Sequence, residues 1–160
     1  MKRVLNPFGM FITGLILGVI SRLLDIYTQN LGNMFSELAI WILLGTIISI
    51  YSESKKKAMF NILPFCIGML ITYYVVAALT NGVYGKIFII GWSIFALLSP
   101  IMAYFAWITK EKGTFPKIIS IGIILVSILS SIILFDGLRV YDYIINLVLI
   151  YILFIKKINR

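Results

Sequence analysis

The chain has 160 residues, 61% of them apolar and 12% charged, with a net charge of +8, no histidine and one cysteine. A soluble domain is roughly half apolar and about a quarter charged, so this composition excludes a soluble monomer. It also excludes a disulfide framework, a histidine-built metal site and a disordered acidic segment, and leaves an all-α, polytopic integral membrane protein.

A helix crossing the roughly 30 Å hydrocarbon core needs about 20 residues with few charges. Six runs answer to this: Phe8 to Leu24, Met34 to Tyr51, Ala58 to Leu79, Ile87 to Ile108, Ile118 to Phe135 and Val140 to Ile155. They take up 113 residues and leave 47 for termini and connections, so residues 1–160 are expected to form one six-helix transmembrane domain. The first run follows Lys2 and Arg3 as a signal peptide would. The first alanine is Ala39, however, so no small-residue cleavage site follows it, and the run is expected to remain as a helix. It carries Gly14 and Gly18 in a G-x-x-x-G, a surface for close packing against a helix of this chain or of a partner. The same stripe continues to Arg22 and Asp25, which are spaced for an i,i+3 ion pair.

Asn33 is placed to cap the second helix. Glu37, Trp41, Gly45 and Ser49 recur every four residues along it and share a face. Glu37 suits either a first-turn acid favoured by the helix N-terminus, worth some tenths of a kcal/mol to about one, or a partner for Arg22 or Arg139. Pro64 in the third run and Pro100 in the fourth each remove a backbone hydrogen bond, so kinks are expected there. Asn61, Pro64, Gly68 and Thr72 form one semi-polar stripe; Ala96, Ser99, Ala103 and Trp107 form another. Tyr73, Tyr74 and Trp92 are placed either to anchor at the interface or to line a pocket. Tyr27, Phe35, Tyr84 and Tyr141 on one side, and Trp107 and Phe115 on the other, fit interfacial aromatic belts. Cys66 reads as a buried structural thiol. In the fifth run Pro116 fits the first turn, Ser120, Ser127 and Ser131 share a face with Ser130 beside it, and Gly137 fits the C-terminal end. The sixth run is short, with Asp142 in its first turn and Asn146 one turn on.

Charge sets the expected orientation. With the N-terminus inside, eleven of the fourteen bases fall on inner segments, and only Arg22, Lys86 and Arg139 lie outside. Asp25, Glu37, Asp136 and Asp142 are outside and Glu53 and Glu111 inside, giving +9 against −1. This is the positive-inside pattern, so both termini are expected in the cytoplasm, and the sixth run must cross to keep Lys156, Lys157 and Arg160 with the other bases. The lysine clusters suit anionic lipid headgroups and not nucleic acid, because they are divided among short loops. Isoleucine outnumbers leucine 32 to 21, a bias that suits an AT-rich genome and a bacterial cell membrane.

Arg22, Asp25, Glu37, Asp136, Arg139 and Asp142 are thus the candidate outer-side polar cluster. No cofactor or metal is expected. Without histidine there is no serine–histidine or H-E-x-x-H chemistry, and a lone cysteine cannot make a C-x-x-C redox pair. Tyr141-Asp142 matches half of the aspartyl intramembrane protease signature without its G-x-G-D half. The flanks of lipoprotein signal peptidase aspartates and the full D-x-x-D-G array of lipid headgroup transferases are likewise missing. In helix number, size and charge sidedness the whole chain resembles the substrate-binding subunits of energy-coupling-factor vitamin transporters; that resemblance implies a small-residue face, here Gly14 and Gly18, docking on a membrane coupling subunit.

Three functions are therefore expected in order. The first is binding or transport of a small solute, lipid or ion through the outer cluster. The second is an accessory role, of assembly, resistance or immunity type, docking on another membrane protein or a second copy. The third is hydrolysis using outer carboxylates.

Overall fold

The computed structural model describes residues 5–80, 82 and 85–158. Lys2, Arg3, Tyr84 and Arg160, which enter the sidedness and belt arguments above, lie outside the described residues. All regular structure among the described residues is helical: α1 (Pro7–Tyr27), α2 (Gln29–Ser36), α3 (Leu38–Tyr51), α4 (Lys55–Leu79), α5 (Lys86–Ile108), α6 (Thr114–Leu134) and α7 (Val140–Ile150), the last continued by a π-helical turn (Tyr151–Ile155). α1, α4, α5 and α6 are long and apolar enough to cross a membrane, and α2 with α3 makes a fifth candidate as a bent pair. α7 with its π turn is a shorter apolar helix, Val140–Ile155, of about 24 Å at 1.5 Å per residue.

The helix starts follow local chemistry. Asn6 accepts a hydrogen bond from the Gly9 N–H at 2.8 Å, with Pro7 opening α1. Ser54 accepts from Lys57 N–H at 3.2 Å. Pro116 sits in the first turn of α6, as expected. At the other end of α6 the chain reverses through two left-handed residues, Asp136 at φ 61° and Gly137 at φ 126°, and the Gly137 N–H returns to the Ser131 carbonyl at 3.1 Å.

One local expectation needs correction. The single helix predicted from Met34 is broken: Asn33 lies inside α2, not at a cap, and the extended residue Glu37 separates α2 from α3, whose axes differ by 63°. The break is held by side-chain contacts, one across it and one to α7. Trp41 donates its indole N–H to the Phe35 carbonyl at 2.8 Å, replacing part of the lost ladder, while Glu37 is drawn toward α7. α4 and α5 are each one continuous helix through Pro64 and Pro100, and the break between α2 and α3 lies at neither proline.

α3 is the central helix, packed against α4, α5, α6 and α7, while α1 lies against α2 and α4. One apolar core joins α1, α3, α4 and α5 around Met10, Trp41, Phe65, Cys66 and Met69. A second joins α3 to α7 through Ala39, Ile42, Leu43, Ile145, Leu149 and Leu153. α1 and α4 approach at backbone contact. A Cβ on Gly14 would stand 2.1 Å from the Phe65 carbonyl oxygen, one on Gly18 2.3 Å from that of Met69, and one on Gly68 2.6 Å from that of Phe11. The G-x-x-x-G face is therefore occupied within the chain. The Asn61 to Thr72 stripe is the matching surface on α4, with Thr72 donating to the Leu15 carbonyl at 2.8 Å.

The two ends of the bundle differ in chemistry. At one end Asn61 donates to the Leu5 carbonyl (3.3 Å) and to Ser52 (3.0 Å), and Trp107 donates to the Ser52 carbonyl at 2.9 Å. Lys55 pairs with Glu111 at 2.9 Å. There too the Lys110 ammonium gathers the carbonyls of Ile152, Leu153 (3.0 Å) and Lys156 (2.8 Å), closing the π turn. The first and last described segments and two lysine-bearing loops thus meet at this lysine-rich end. Arg22, Glu37, Gly82 and Arg139 lie at the opposite end.

Candidate functional site

The six charged residues of the candidate cluster do not form one group. Arg22 and Asp25 form the expected i,i+3 ion pair on the last turns of α1. The Tyr73 hydroxyl donates to Asp25 at 3.4 Å, and the guanidinium carbon lies 5.9 Å from the Tyr73 ring centroid. Gly82 provides the floor: a Cβ there would stand 2.0 Å from an Arg22 terminal nitrogen.

A second group joins α3 to α7. Glu37, only 1% exposed, accepts from the Tyr141 hydroxyl and pairs with Arg139 at 2.9 Å, both through Oε1. Arg139 also donates to the Tyr141 hydroxyl at 2.8 Å. That bond is the largest cause, with the neighbouring carboxylates adding to it, of a guanidinium pKa above its ordinary value. Asp142, fully buried, accepts from Ser131 Oγ at 3.0 Å and from its own helix start, the Arg139 backbone N–H, at 2.9 Å. Of the two partners the sequence allowed for Glu37, the fold selects Arg139. Asp136 belongs to neither group: it is exposed, forms no ion pair among the described residues, and serves the left-handed turn after α6. Below Asp142, Asn146 donates to the Asp142 carbonyl at 2.8 Å, and Ser120, Ser127, Ser130 and Ser131 are all buried along α6.

The open space lies elsewhere, next to the aromatic residues. A cavity of about 360 Å³ at the arginine end is lined by Phe35 and Ser36 of α2, Trp41 of α3, Tyr73 and Tyr74 of α4, and Phe88 and Trp92 of α5, with Phe135 at the end of α6. Its rings meet edge to face: Trp41 lies 5.9 Å from Phe35 and 6.5 Å from Trp92, and Tyr73 lies 5.3 Å from Tyr74. Among the described residues, Tyr73 links this cavity to the Arg22–Asp25 pair. A second, narrower cavity of about 60 Å³ runs toward the lysine-rich end among Thr46, Ser49, Cys66, Ser99 and Ala106. Trp41 and Met69 wall both cavities, so the two lie in series along the bundle with these side chains between them.

Tyr73, Tyr74 and Trp92 were legible as pocket candidates. Phe35, Ser36, Met69, Phe88 and Phe135 were not, although Met69 with Tyr73, Leu70 with Tyr74, and Phe88 with Trp92 stand four apart and mark continuous helix stripes. The cavity is largely aromatic and apolar, with Tyr73, Tyr74 and Ser36 supplying hydroxyls, a composition suited to a ring-bearing solute oriented by a few polar contacts.

Fold and site together define a small all-helical protein whose apolar helices suit a lipid bilayer and whose cavities open within the bundle. Residues 1–149 match the family described as a family of unknown function (DUF6518), and the chain belongs to that family. No curated protein and no solved structure matches the chain.

Proposed function

We propose that the chain crosses a bacterial cell membrane six times with both termini in the cytoplasm, and that it binds a small ring-bearing solute from the outer side. On this reading α2 and α3 form one bent crossing and α7 with its π turn the last. The lysine-rich end, where Leu5 and Lys156 are both found, faces the cytoplasm, in keeping with the positive-inside bias. The shortness of α3 and α7 is accommodated by bilayer thinning and by polar starts at the outer end.

The observation that carries the functional reading is the aromatic cavity of about 360 Å³, which is within the size range of small-ligand sites, roughly 300–1,000 Å³. Its alignment with the narrower cavity behind Trp41 and Met69 supports passage across the membrane as the extension of binding, with those two side chains as the constriction. The accessory reading, motivated by the absence of a complete catalytic signature together with the G-x-x-x-G face, has less to rest on where Gly14 and Gly18 pack against α4.

The test uses 4-bromophenol, a heavy-atom quencher, with protein in lipid nanodiscs. Trp41 and Trp92 line the cavity, whereas Trp107 bonds Ser52 at the other end. Saturable quenching that persists in Trp107→Phe and disappears in the Trp41→Phe, Trp92→Phe double variant is the expected result. Linear, unsaturable quenching shared equally by Trp107 would mean partition into lipid and would overturn the reading.

A further inference from the structure

At the junction of α3 and α7 two carboxyl groups are buried with one guanidinium. Glu37 is 1% exposed and Asp142 is fully buried, while Arg139 reaches the surface. Arg139, whose backbone N–H donates to Asp142, and Tyr141, the residue before Asp142, both reach Glu37 Oε1, which brings the two carboxyl groups together at the start of α7. Counting donors atom by atom leaves a single gap. Asp142 Oδ1 accepts from Ser131 Oγ (3.0 Å) and Oδ2 from the Arg139 backbone N–H (2.9 Å). Glu37 Oε1 accepts from the Tyr141 hydroxyl and from Arg139. Glu37 Oε2 is buried with no donor among the described residues. Two neighbouring buried carboxylates with one cation leave a net charge of −1, which burial penalises, and one of the four carboxylate oxygens, Glu37 Oε2, is buried without a donor.

We propose that Glu37 and Asp142 form a proton-binding site, holding one proton at neutral pH on Glu37 Oε2 and directed at the Asp142 carboxylate. One proton removes both faults: it neutralises the excess charge and turns the orphaned acceptor into a donor. A single open carboxylate oxygen suits a proton better than a metal ion, which needs several oxygen ligands, because the other three carboxylate oxygens each already accept a hydrogen bond, while Asp142 keeps lone pairs for one more. The proton also completes a bridge between the first turns of α3 and α7, the two short helices whose starts meet here. The titratable groups facing Glu37 are Arg139, Tyr141 and Asp142, all at the start of α7. α2 carries no ionisable side chain, α6 offers Ser131, and α4 and α5 place no charged group on Glu37.

The experiment is infrared spectroscopy of the full chain in lipid nanodiscs at pH 7, with and without side-chain carboxyl ¹³C-glutamate. Glu37 is the buried one of three glutamates; Glu53 and Glu111 are exposed and pair with Lys57 and Lys55. The expected result is one protonated-carboxyl band that shifts with labelled glutamate and is lost in both Glu37→Gln and Asp142→Asn. The labelling arm uses the wild-type chain, so it decides the matter even where a variant fails to fold. Absence of the band, its survival in Glu37→Gln, or a shift with labelled aspartate alone would overturn the proposal. So would its disappearance when sodium chloride replaces choline chloride at constant pH, which would identify a monovalent cation as the occupant instead.

Discussion

Adding one methyl group to the α1–α4 contact provides the sharpest test of how the bundle is held together. In Gly14→Ala the new Cβ would stand 2.1 Å from a backbone oxygen of α4, against the 3.4 Å at which ordinary contact begins, a shortfall of about 1.3 Å that no side-chain rotation can relieve. The helices must move apart. A gap of up to 1 Å forfeits a quarter to a half of each dispersion contact, so some thirty atom pairs at about 0.15 kcal/mol lose about 2 kcal/mol. Stretching the Thr72 hydrogen bond to the Leu15 carbonyl, now 2.8 Å, removes about 1 kcal/mol more. The expected loss is therefore about 3 kcal/mol for Gly14→Ala, with Gly18→Ala close behind. The assay is reversible unfolding in mixed dodecylmaltoside–SDS micelles followed by far-ultraviolet circular dichroism. Gly91→Ala and Gly122→Ala are the controls, since a Cβ at either meets nothing within 4 Å. Their helices should be unchanged or stabilised by up to about 1 kcal/mol. A Gly14→Ala protein as stable as Gly91→Ala would refute the in-chain role of this face and return it to a partner.

Lys110→Met should release the carbonyls of Ile152, Leu153 and Lys156, costing about 1.5–3 kcal/mol per strong charged bond lost and exposing the C-terminal turn to carboxypeptidase before the rest of the chain; unchanged stability and digestion would contradict it. In a Cys66→Ala background, cysteine at Asp136 should react with a membrane-impermeant maleimide in intact cells and cysteine at Lys112 only after lysis; the reverse pattern would invert the proposed orientation. Asp136→Gly should be neutral or slightly stabilising and Asp136→Val should cost about 1–2 kcal/mol, both measured by unfolding, because the position demands a left-handed backbone. Neither should alter 4-bromophenol quenching; loss of binding in Asp136→Gly would restore this residue to the site. Trp41→Ala should join the two cavities and speed 4-bromophenol release from the outer one, and a release rate equal to wild type would argue against Trp41 as the constriction.

Much of the helix map was legible because hydropathy and capping are local. The α1, α4, α5, α6 and α7 segments fall within a few residues of the runs read from the sequence, and Pro116 and the Asp136-Gly137 turn act where the sequence places them. The 63° break is at Glu37, where no residue type announces it. Its cause is the Glu37 carboxyl group bound to Tyr141, 104 positions away, and an indole returning to the Phe35 carbonyl. The candidate site was half legible for the same reason. Charged residues at one end are visible as a list, but whether they meet one another or a cavity depends on which helices are neighbours.

The sequence alone determined that this is an all-helical chain with apolar helices whose lysines cluster in short segments between them, since each of those properties is set by residues close together along it. Only the tertiary structure divided the charges of the arginine end between an Arg22–Asp25 pair and a Glu37–Arg139–Asp142 group, seated Gly14 and Gly18 on α4, and left the open space among aromatic rings. Those outcomes rest on the arrangement of distant helices around α3: burial makes an unpaired charge costly and backbone contact makes a methyl group intolerable, but which partner meets either demand is decided only when the helices pack.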